Sequence, residues 1–445
     1  MTDERYVHES ELPVSAEVAF AWHERPGAFQ RLAPAWDPVR VLERDESIAV
    51  GARTVIEMRV GPIPVRWVAE HTGYEAGSWF RDEQREGPFA KWVHTHRFVP
   101  IDADHCRMVD EVEYAAPLGA IGNFFGGGTI RTRLGRMFAY RHAVLRADLE
   151  RHARFAAQPR RRIAMTGASG LIGTALGAFL TTGGHTVTPV QRGDFAALAG
   201  ADAIIHLAGS PIGVRWNDER RREMVTSRVE YTRALVDSIG VMPQIPEVLL
   251  GGSAIGIYGD RGDELLDEQS APGEPAPRGA AMLAGLCRDW EAESSRAAEL
   301  GLRVALLRTG VVLDPRGGAL AQLLGPFGAG VGGPSGPGTQ WMSWIALEDE
   351  IGALHHALMT DMAGPINLTA PTPVLNAELA AALGEVLSRP AILRTPEFVL
   401  RTMFGEMAEA TILASQRVLP RALEQAGFEF RHPDLRGALR FPLGL

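Results

Sequence analysis

Lysine occurs once in this chain of 445 residues, at Lys91, and cysteine twice, at Cys106 and Cys287. Arginine supplies nearly all the positive charge, and a guanidinium keeps its proton, so any chemistry after residue 91 that needs an exchangeable ammonium group is excluded. Two cysteines so far apart exclude a disulfide framework and a cysteine zinc site, and they fit a reducing compartment. An excess of positive charge is also missing: the net charge of −9 gives no general attraction for nucleic acid or an anionic membrane. The first residues, Met1-Thr2-Asp3-Glu4-Arg5, lack the apolar core of a signal peptide. The uncharged stretch 317–347 is interrupted by glycines and prolines, and it reads as a long loop rather than a membrane span. These absences predict a cytoplasmic chain with no transmembrane segment and no nucleic-acid partner. The length and 46% hydrophobic content allow two or three domains with ordinary cores.

In residues 1–155, Thr54, Ile56, Met58 and Val60 alternate with more polar neighbours. So do Val65, Trp67, Ala69 and His71, then Trp92, His94, His96 and Phe98, then Met108, Asp110, Val112 and Tyr114. Period two marks half-buried antiparallel strands. After Gly126-Gly127-Gly128 the period changes, and Ile130, Leu134, Met137, Phe138, Val144, Leu145 and Leu149 predict one long amphipathic helix. With a short helix near Ala16 to Trp22, this arrangement resembles the START-like (SRPBCC, birch-pollen-allergen) fold, an α+β helix-grip domain. The resemblance implies an apolar cavity, with Trp67, Trp79, Phe80, Phe89, Trp92 and Phe98 as candidates to line it for an apolar ligand, or simply as core. His94 and His96 share a face, but no third ligand accompanies them, so no metal site is read from the sequence.

A polar linker, residues 156–162, leads into Ile163-Ala164-Met165-Thr166-Gly167-Ala168-Ser169-Gly170-Leu171-Ile172-Gly173. An apolar strand runs into three glycines spaced three apart and then a helix, which is the context a dinucleotide-binding turn requires. Gly167 permits the turn, Gly170 lets backbone N–H groups approach a pyrophosphate, and Gly173 lets helix and strand pack closely. Strand and helix signals then alternate, predicting an α/β Rossmann-type doubly wound parallel sheet. The strand Thr186 to Val190 ends in Gln191-Arg192, which favours NADP because arginine accepts a 2′-phosphate; Asp194 is a competitor that would favour NAD. Only about a dozen residues separate Val190 from Ala203, too few for a crossover helix and another strand, so the outer strand on that edge is expected to be missing.

Further motifs are Ala203-Ile204-Ile205-His206-Leu207-Ala208-Gly209, Ser227-Arg228, Ser253 to Glu264, Cys287-Arg288-Asp289-Trp290-Glu291, Leu307 to Leu313, and Gln340-Trp341-Met342-Ser343-Trp344-Ile345. Together they resemble the atypical extended short-chain dehydrogenase/reductases labelled "epimerase family" or nucleoside-diphosphate-sugar epimerases. Phe404-Gly405-Glu406, Arg417-Val418-Leu419-Pro420 and Gly427-Phe428-Glu429-Phe430 resemble that family's small C-terminal domain. The expected division is a nucleotide-binding domain at 163–372 and a small domain at 373–445. The resemblance implies that Gly167, Ser169, Gly170, Leu171, Ile172 and Gly173 wrap the pyrophosphate and that Arg192 meets the adenosine phosphate. It places Ala208 and Gly209 beside the adenine, Ser253 near the nicotinamide, and Gly310 to Val312 at the carboxamide. Small residues closing buried strands would give the same pattern at Ala208, Gly209 and Gly310.

The wider superfamily uses a tyrosine with a lysine four residues on, because an unassisted phenol is a poor base at neutral pH. This domain has no lysine, and its tyrosines are only Tyr231 and Tyr258. Alignment on Glu291 puts Leu283 at the tyrosine position and Cys287 at the lysine position. Ser253 and Tyr258 remain as catalytic candidates, with Asp260, Asp263, Glu264 and Cys287 as further polar groups, Arg261 as an electrostatic aid, and Gly325 to Gly338 as a lid. Two functions follow as expectations: an NADP-dependent oxidoreductase or epimerase-like enzyme acting on a small molecule, or an inactive NADP-binding sensor coupled to a lipid-binding module.

Overall fold

The computed structural model describes residues 4–60, 63–115, 120–276 and 278–445, with the side chains of residues 120–129 and of Val60 outside the description. Two compact units result: Met1–Pro159 with Ala178–His185 and Gly444, and the remainder of the chain.

The first unit is a seven-stranded antiparallel sheet in the order β1-β7-β6-β5-β4-β3-β2. Its strands are β1 (Glu4–Leu12), β2 (Arg40–Arg44), β3 (Arg53–Val60), β4 (Ile63–Glu75), β5 (Trp79–Glu86), β6 (Lys91–Pro100) and β7 (Cys106–Ala115). Register shifts between Val41 and Glu43 and at two points along β4 and β5 bend the sheet. The helices are α1 (Ala16–Glu24), α2 (Ala28–Leu32) and α3 (Ala120–Ala153). α3 lays Leu134 and Phe138 against Tyr6, Trp92, Val112 and Tyr114 of the sheet, and Leu145 and Leu149 against the core around Phe20 and Phe98. This is the helix-grip arrangement. The helix does not open after the glycine triplet, as the sequence predicts; it opens at Ala120 and runs through it. Each mid-helix glycine costs only about 1 kcal/mol, which a helix of this length absorbs.

The second unit is built on a six-stranded parallel sheet. Its order is Gly364–Leu368, Arg303–Thr309, β11 (Val248–Ala254), β10 (Ala203–His206), β8 (Arg162–Thr166) and β9 (Thr186–Val190). Ile163 to Met165, Ala203 to Ile205 and Val248 to Leu250 are buried, as strands covered on both faces must be. The sheet ends at β9, whose Pro189 has no N–H to give a further neighbour, and only a single 3₁₀ turn, Phe195–Leu198, precedes β10. The missing outer strand expected from the short connection is thus absent among the described residues. The stretch expected to be one long loop contains a helix, Gly318–Gly328. Leu320, Leu323, Leu324 and Phe327 pack at helical spacing into the core with Trp344, and this periodicity outweighs Pro326 inside the helix. Among the described residues no helix is long and apolar enough to cross a membrane.

Candidate functional site

Parallel strands place their following loops at one edge, and at this edge β8 turns into helix α4 (Leu171–Thr182) through Gly167 to Gly170. Gly167 has φ +70°, and a Cβ there would lie 2.7 Å from the backbone of Leu207. A Cβ at Gly173 would lie 2.2 Å from the Gly167 carbonyl oxygen. Both positions therefore exclude any side chain. Ser169 and Gly170 are exposed, and Leu171 and Ile172 half-buried. The first-turn N–H groups of Leu171, Ile172 and Gly173 have no partner within the helix, which together with the helix dipole makes a cradle for an anion. Gly173→Ala is expected to displace the turn and abolish dinucleotide binding by calorimetry; unchanged affinity would exclude this cradle as the site.

The other loops of this edge bring the remaining sequence-predicted positions together. The Ala208 N–H donates to Thr166 Oγ1 at 3.3 Å, so the chain after β10 is tied to the end of β8. Gly209 is exposed and lies against Arg228, whose guanidinium donates to the Ser210 carbonyl at 2.9 Å. Gly310 is wedged against the Ser343 carbonyl, where a Cβ would come within 2.8 Å, and Val312 pairs with Ile345 in a short parallel ribbon. Arg192 occupies a tight turn closed by the Asp194 N–H to the Gln191 carbonyl at 3.0 Å. Its side chain is exposed and has no ion pair among the described residues.

Ser253 and Tyr258 belong to a buried network instead of an open pocket. Ser253 Oγ donates to Glu291 Oε1 at 2.7 Å, and Arg308 grips the same carboxylate through Nε at 2.8 Å and Nη2 at 2.9 Å. Arg308 Nη1 donates to the Tyr258 hydroxyl at 2.9 Å, and that hydroxyl lies 2.8 Å from Asn367 Oδ1 and 2.9 Å from the Asp267 carbonyl. Tyr258 is 0% exposed. Burial pushes its phenol above the ordinary value, and the charge and hydrogen bond of Arg308 offset this only in part. Burial opposes the charge on Arg308, but the hydrogen bond and charge of Glu291 outweigh it and hold the guanidinium above its usual range. Cys287 is buried too, and burial pushes its thiol up to about 12. Asp263 accepts from Trp341 Nε1 at 2.9 Å, while Glu264 pairs with Arg261. Glu291, Arg308 and Asn367 lie on three separate elements, so spacing could not reveal their convergence.

The first unit carries a second concentration of polar groups. A cavity of about 420 Å³ is lined by Trp67, Phe80, Phe89 and Trp92, and also by His23, His71, Asp82, His94, His96 and Arg141. Trp79 and Phe98, expected among the lining residues, are not there. Trp79 is Phe80's neighbour on β5 and must face the other way, where Arg81 and Arg97 stack on it; Phe98 packs in the core with Phe20. At the polar end His94 Nε2 and His96 Nδ1 lie 3.1 and 2.6 Å from Asp110 Oδ1, and His142 Nε2 lies 2.7 Å from Asp110 Oδ2. Burial opposes the charge on His94, yet hydrogen bonds to Asp110 and Asp82 outweigh it and raise it to about 9. Burial and the neighbouring His94 charge push His96 down to about 4.

Comparison with known proteins places these two units. Residues 163–368 match the NAD dependent epimerase/dehydratase family, residues 12–138 the polyketide cyclase / dehydrase and lipid transport family, and residues 395–441 the domain of unknown function DUF1731. An epimerase family protein of Mycobacterium tuberculosis is 39% identical over 298 residues, covering 63% of this chain and 96% of that protein. The structure of a nucleoside-diphosphate sugar epimerase from Corynebacterium glutamicum is similar over 99% of this chain and 90% of its own, with TM-score 0.79 and 33% identity. That of human epimerase family protein SDR39U1 with NADPH covers 63% of this chain and 99% of its own, with TM-score 0.58 and 34% identity.

Proposed function

We propose an NADP-dependent oxidoreductase of the epimerase type, starting from the fact that this chain belongs to the NAD-dependent epimerase/dehydratase family. The observation that carries the reading is the cradle at Gly167 to Gly173, where the first-turn N–H groups of Leu171, Ile172 and Gly173 lack an intrahelical partner and no side chain fits at Gly167 or Gly173. Its geometry suits a pyrophosphate, and the NADPH in the human relative's structure supports the same cofactor class. When bound, NADP would supply the hydride acceptor or donor. Leu171, Ile172 and Gly173 would donate N–H groups to the pyrophosphate, and Ser169 and Gly170 would border it. Ala208 and Gly209 would lie along the adenine, and Gly310 and Val312 along the carboxamide. Arg192, exposed at an edge with no further strand among the described residues, would pair with the 2′-phosphate; Asp194, in the same turn, keeps NAD as the competing cofactor. Ser253 and Tyr258 act in this reading through Glu291 and Arg308, fixing the strand ends on which the nicotinamide would rest. The first unit would hold an apolar ligand in its cavity.

A second reading, an NADP-binding sensor without turnover, draws support from the burial of Tyr258 and Cys287 and from the absence of lysine after Lys91. Calorimetry with Arg192→Ala tests the cofactor. NADPH affinity is expected to fall roughly 10- to 100-fold, the worth of a charge-assisted hydrogen bond, while NADH affinity barely changes. NADPH oxidation with a carbonyl compound or a nucleotide sugar would exclude the sensor. NADPH binding without oxidation across such a panel would favour it, and the absence of NADPH binding would overturn both readings.

A further inference from the structure

We propose that the inner face of the antiparallel sheet carries a divalent transition-metal site, with Asp82, His94 and His96 as ligands and Asp110 as the residue that orients His94. The metal site stands independently of the reading of residues 163–445. Strand register assembles it. Asp82 on β5 is the cross-strand neighbour of His94 on β6, and His96 on β6 is the neighbour of Asp110 on β7. All point to one face, so residues 12 to 16 apart in sequence become adjacent.

One ligand atom from each of Asp82, His94 and His96 lies within 4.8 Å of the others. His94 Nδ1 is 3.4 Å and His96 Nε2 3.9 Å from the same oxygen of Asp82. Metal–ligand bonds of about 2.0–2.2 Å separate the ligand atoms of a tetrahedral site by about 3.3–3.6 Å, so the two distances to Asp82 are already within a few tenths of an ångström of that range, and the two imidazoles would close by up to about 1 Å on a bound ion. His94 Nε2 bonds Asp110 Oδ1 at 3.1 Å, and His96 Nδ1 lies 2.6 Å from the same oxygen, outside hydrogen-bond geometry. With its Nε2–H given to Asp110, His94 turns Nδ1 toward Asp82, and His96 turns Nε2 toward the same oxygen. A divalent cation there would displace the proton that His94 shares with Asp82 and would join two imidazole nitrogens to one carboxylate oxygen. A carboxylate hydrogen-bonded behind a metal-bound histidine, as Asp110 stands behind His94, is the usual support of such a centre. A further layer holds Asp110: His142 donates from Nε2 to its other oxygen, and Ser10 Oγ lies 2.6 Å from His142 Nδ1.

The cavity supplies an independent observation. Asp82, His94 and His96 line it, and so does His23, which is 5% exposed, bonds the Ala19 carbonyl through Nδ1 at 2.8 Å, and has no partner for Nε2 among the described residues. A three-ligand site opening on a cavity leaves a coordination position for a ligand atom, with the His23 lone pair beside it as acceptor. Two imidazoles and one carboxylate suit zinc or another first-row divalent ion, and not calcium or magnesium, which take oxygen ligands. The occupant of the open position would be the oxygen or nitrogen head of an otherwise apolar molecule, with the aromatic walls taking its body.

The test uses the full chain, stripped with a chelator and titrated with Co²⁺ and Zn²⁺. Wild-type protein should bind one equivalent, with visible cobalt absorption. His96→Gln and Asp82→Asn should each weaken binding at least about 100-fold, and Asp110→Asn by about 10- to 100-fold. His105→Gln, at an exposed histidine outside the cluster, should leave binding unchanged. Failure of the wild type to bind stoichiometric metal, or wild-type affinity in both H96Q and D82N, would overturn the site. Should those variants fail to fold, X-ray absorption of the wild-type cobalt protein decides: two imidazole ligands support the proposal, and an all-oxygen shell overturns it.

Discussion

Arg308→Ala is expected to lower the stability of the parallel-sheet unit by about 3–5 kcal/mol, because it leaves the Glu291 carboxylate charged and buried with only Ser253 as a partner among the described residues. The pair joins helix Gly279–Ser295 to strand Arg303–Thr309, and Arg308 also supports the Tyr258 hydroxyl, so two buried groups lose a partner at once. Urea unfolding followed by tryptophan fluorescence measures the loss. Arg308→Met with Glu291→Leu removes both charges and should recover much of it, since a buried ion pair replaced by apolar groups of similar volume is often neutral. Recovery should stop short of the wild type, because Ser253 Oγ would lose its acceptor and Tyr258 a donor. A loss below about 1 kcal/mol in the single variant would mean that the network opens to water and that Tyr258 is accessible for chemistry after all.

Such a network explains why the sequence was legible in one place and not in another. The glycine turn is largely a matter of contiguous residues: Gly167 has φ +70°, Gly173 packs on the Gly167 carbonyl, and the strand and helix around them are local patterns. The short run from Val190 to Ala203 likewise shows the lost strand directly. Period two gave the antiparallel strands of the first unit, but it also exposes an inconsistency, since Trp79 and Phe80 are consecutive and cannot share a face. Helix Gly318–Gly328 was hidden by its glycines and proline although Leu320, Leu323, Leu324 and Phe327 kept the helical period. Contacts across elements were beyond reach. Glu291 meets Arg308 and Tyr258 meets Asn367 only through the sheet, and the third group beside His94 and His96 is Asp82, brought in by pairing of β5 with β6. No spacing in a single sequence encodes such pairings.

Glu350 was equally invisible, and it sets the second large expectation. It lies in the first turn of helix Leu347–Met359, is 0% exposed, accepts a hydrogen bond from Thr309 Oγ1 at 3.0 Å, and has no partner for Oε2 among the described residues. Burial raises its carboxyl from 4.5 to about 8, and the bond from Thr309 works in the opposite direction without prevailing. The folded state therefore keeps a proton that the unfolded chain releases above pH 4.5. Stability from this group is fully present below the unfolded value and is lost as pH rises toward about 8, with a slope near 1.4 kcal/mol per pH unit inside that window. Glu350→Gln keeps the acceptor for Thr309 and cannot ionise. The variant should match the wild type near pH 4.5 and exceed it by a few kcal/mol at pH 8, measured as the difference between their urea unfolding curves at each pH. Because the comparison is a difference, the titration of every other carboxylate and histidine cancels. Parallel curves across the window would show that Glu350 is solvated in the folded state, and the space beside Thr309 would then have to admit water next to the strand end that carries Gly310.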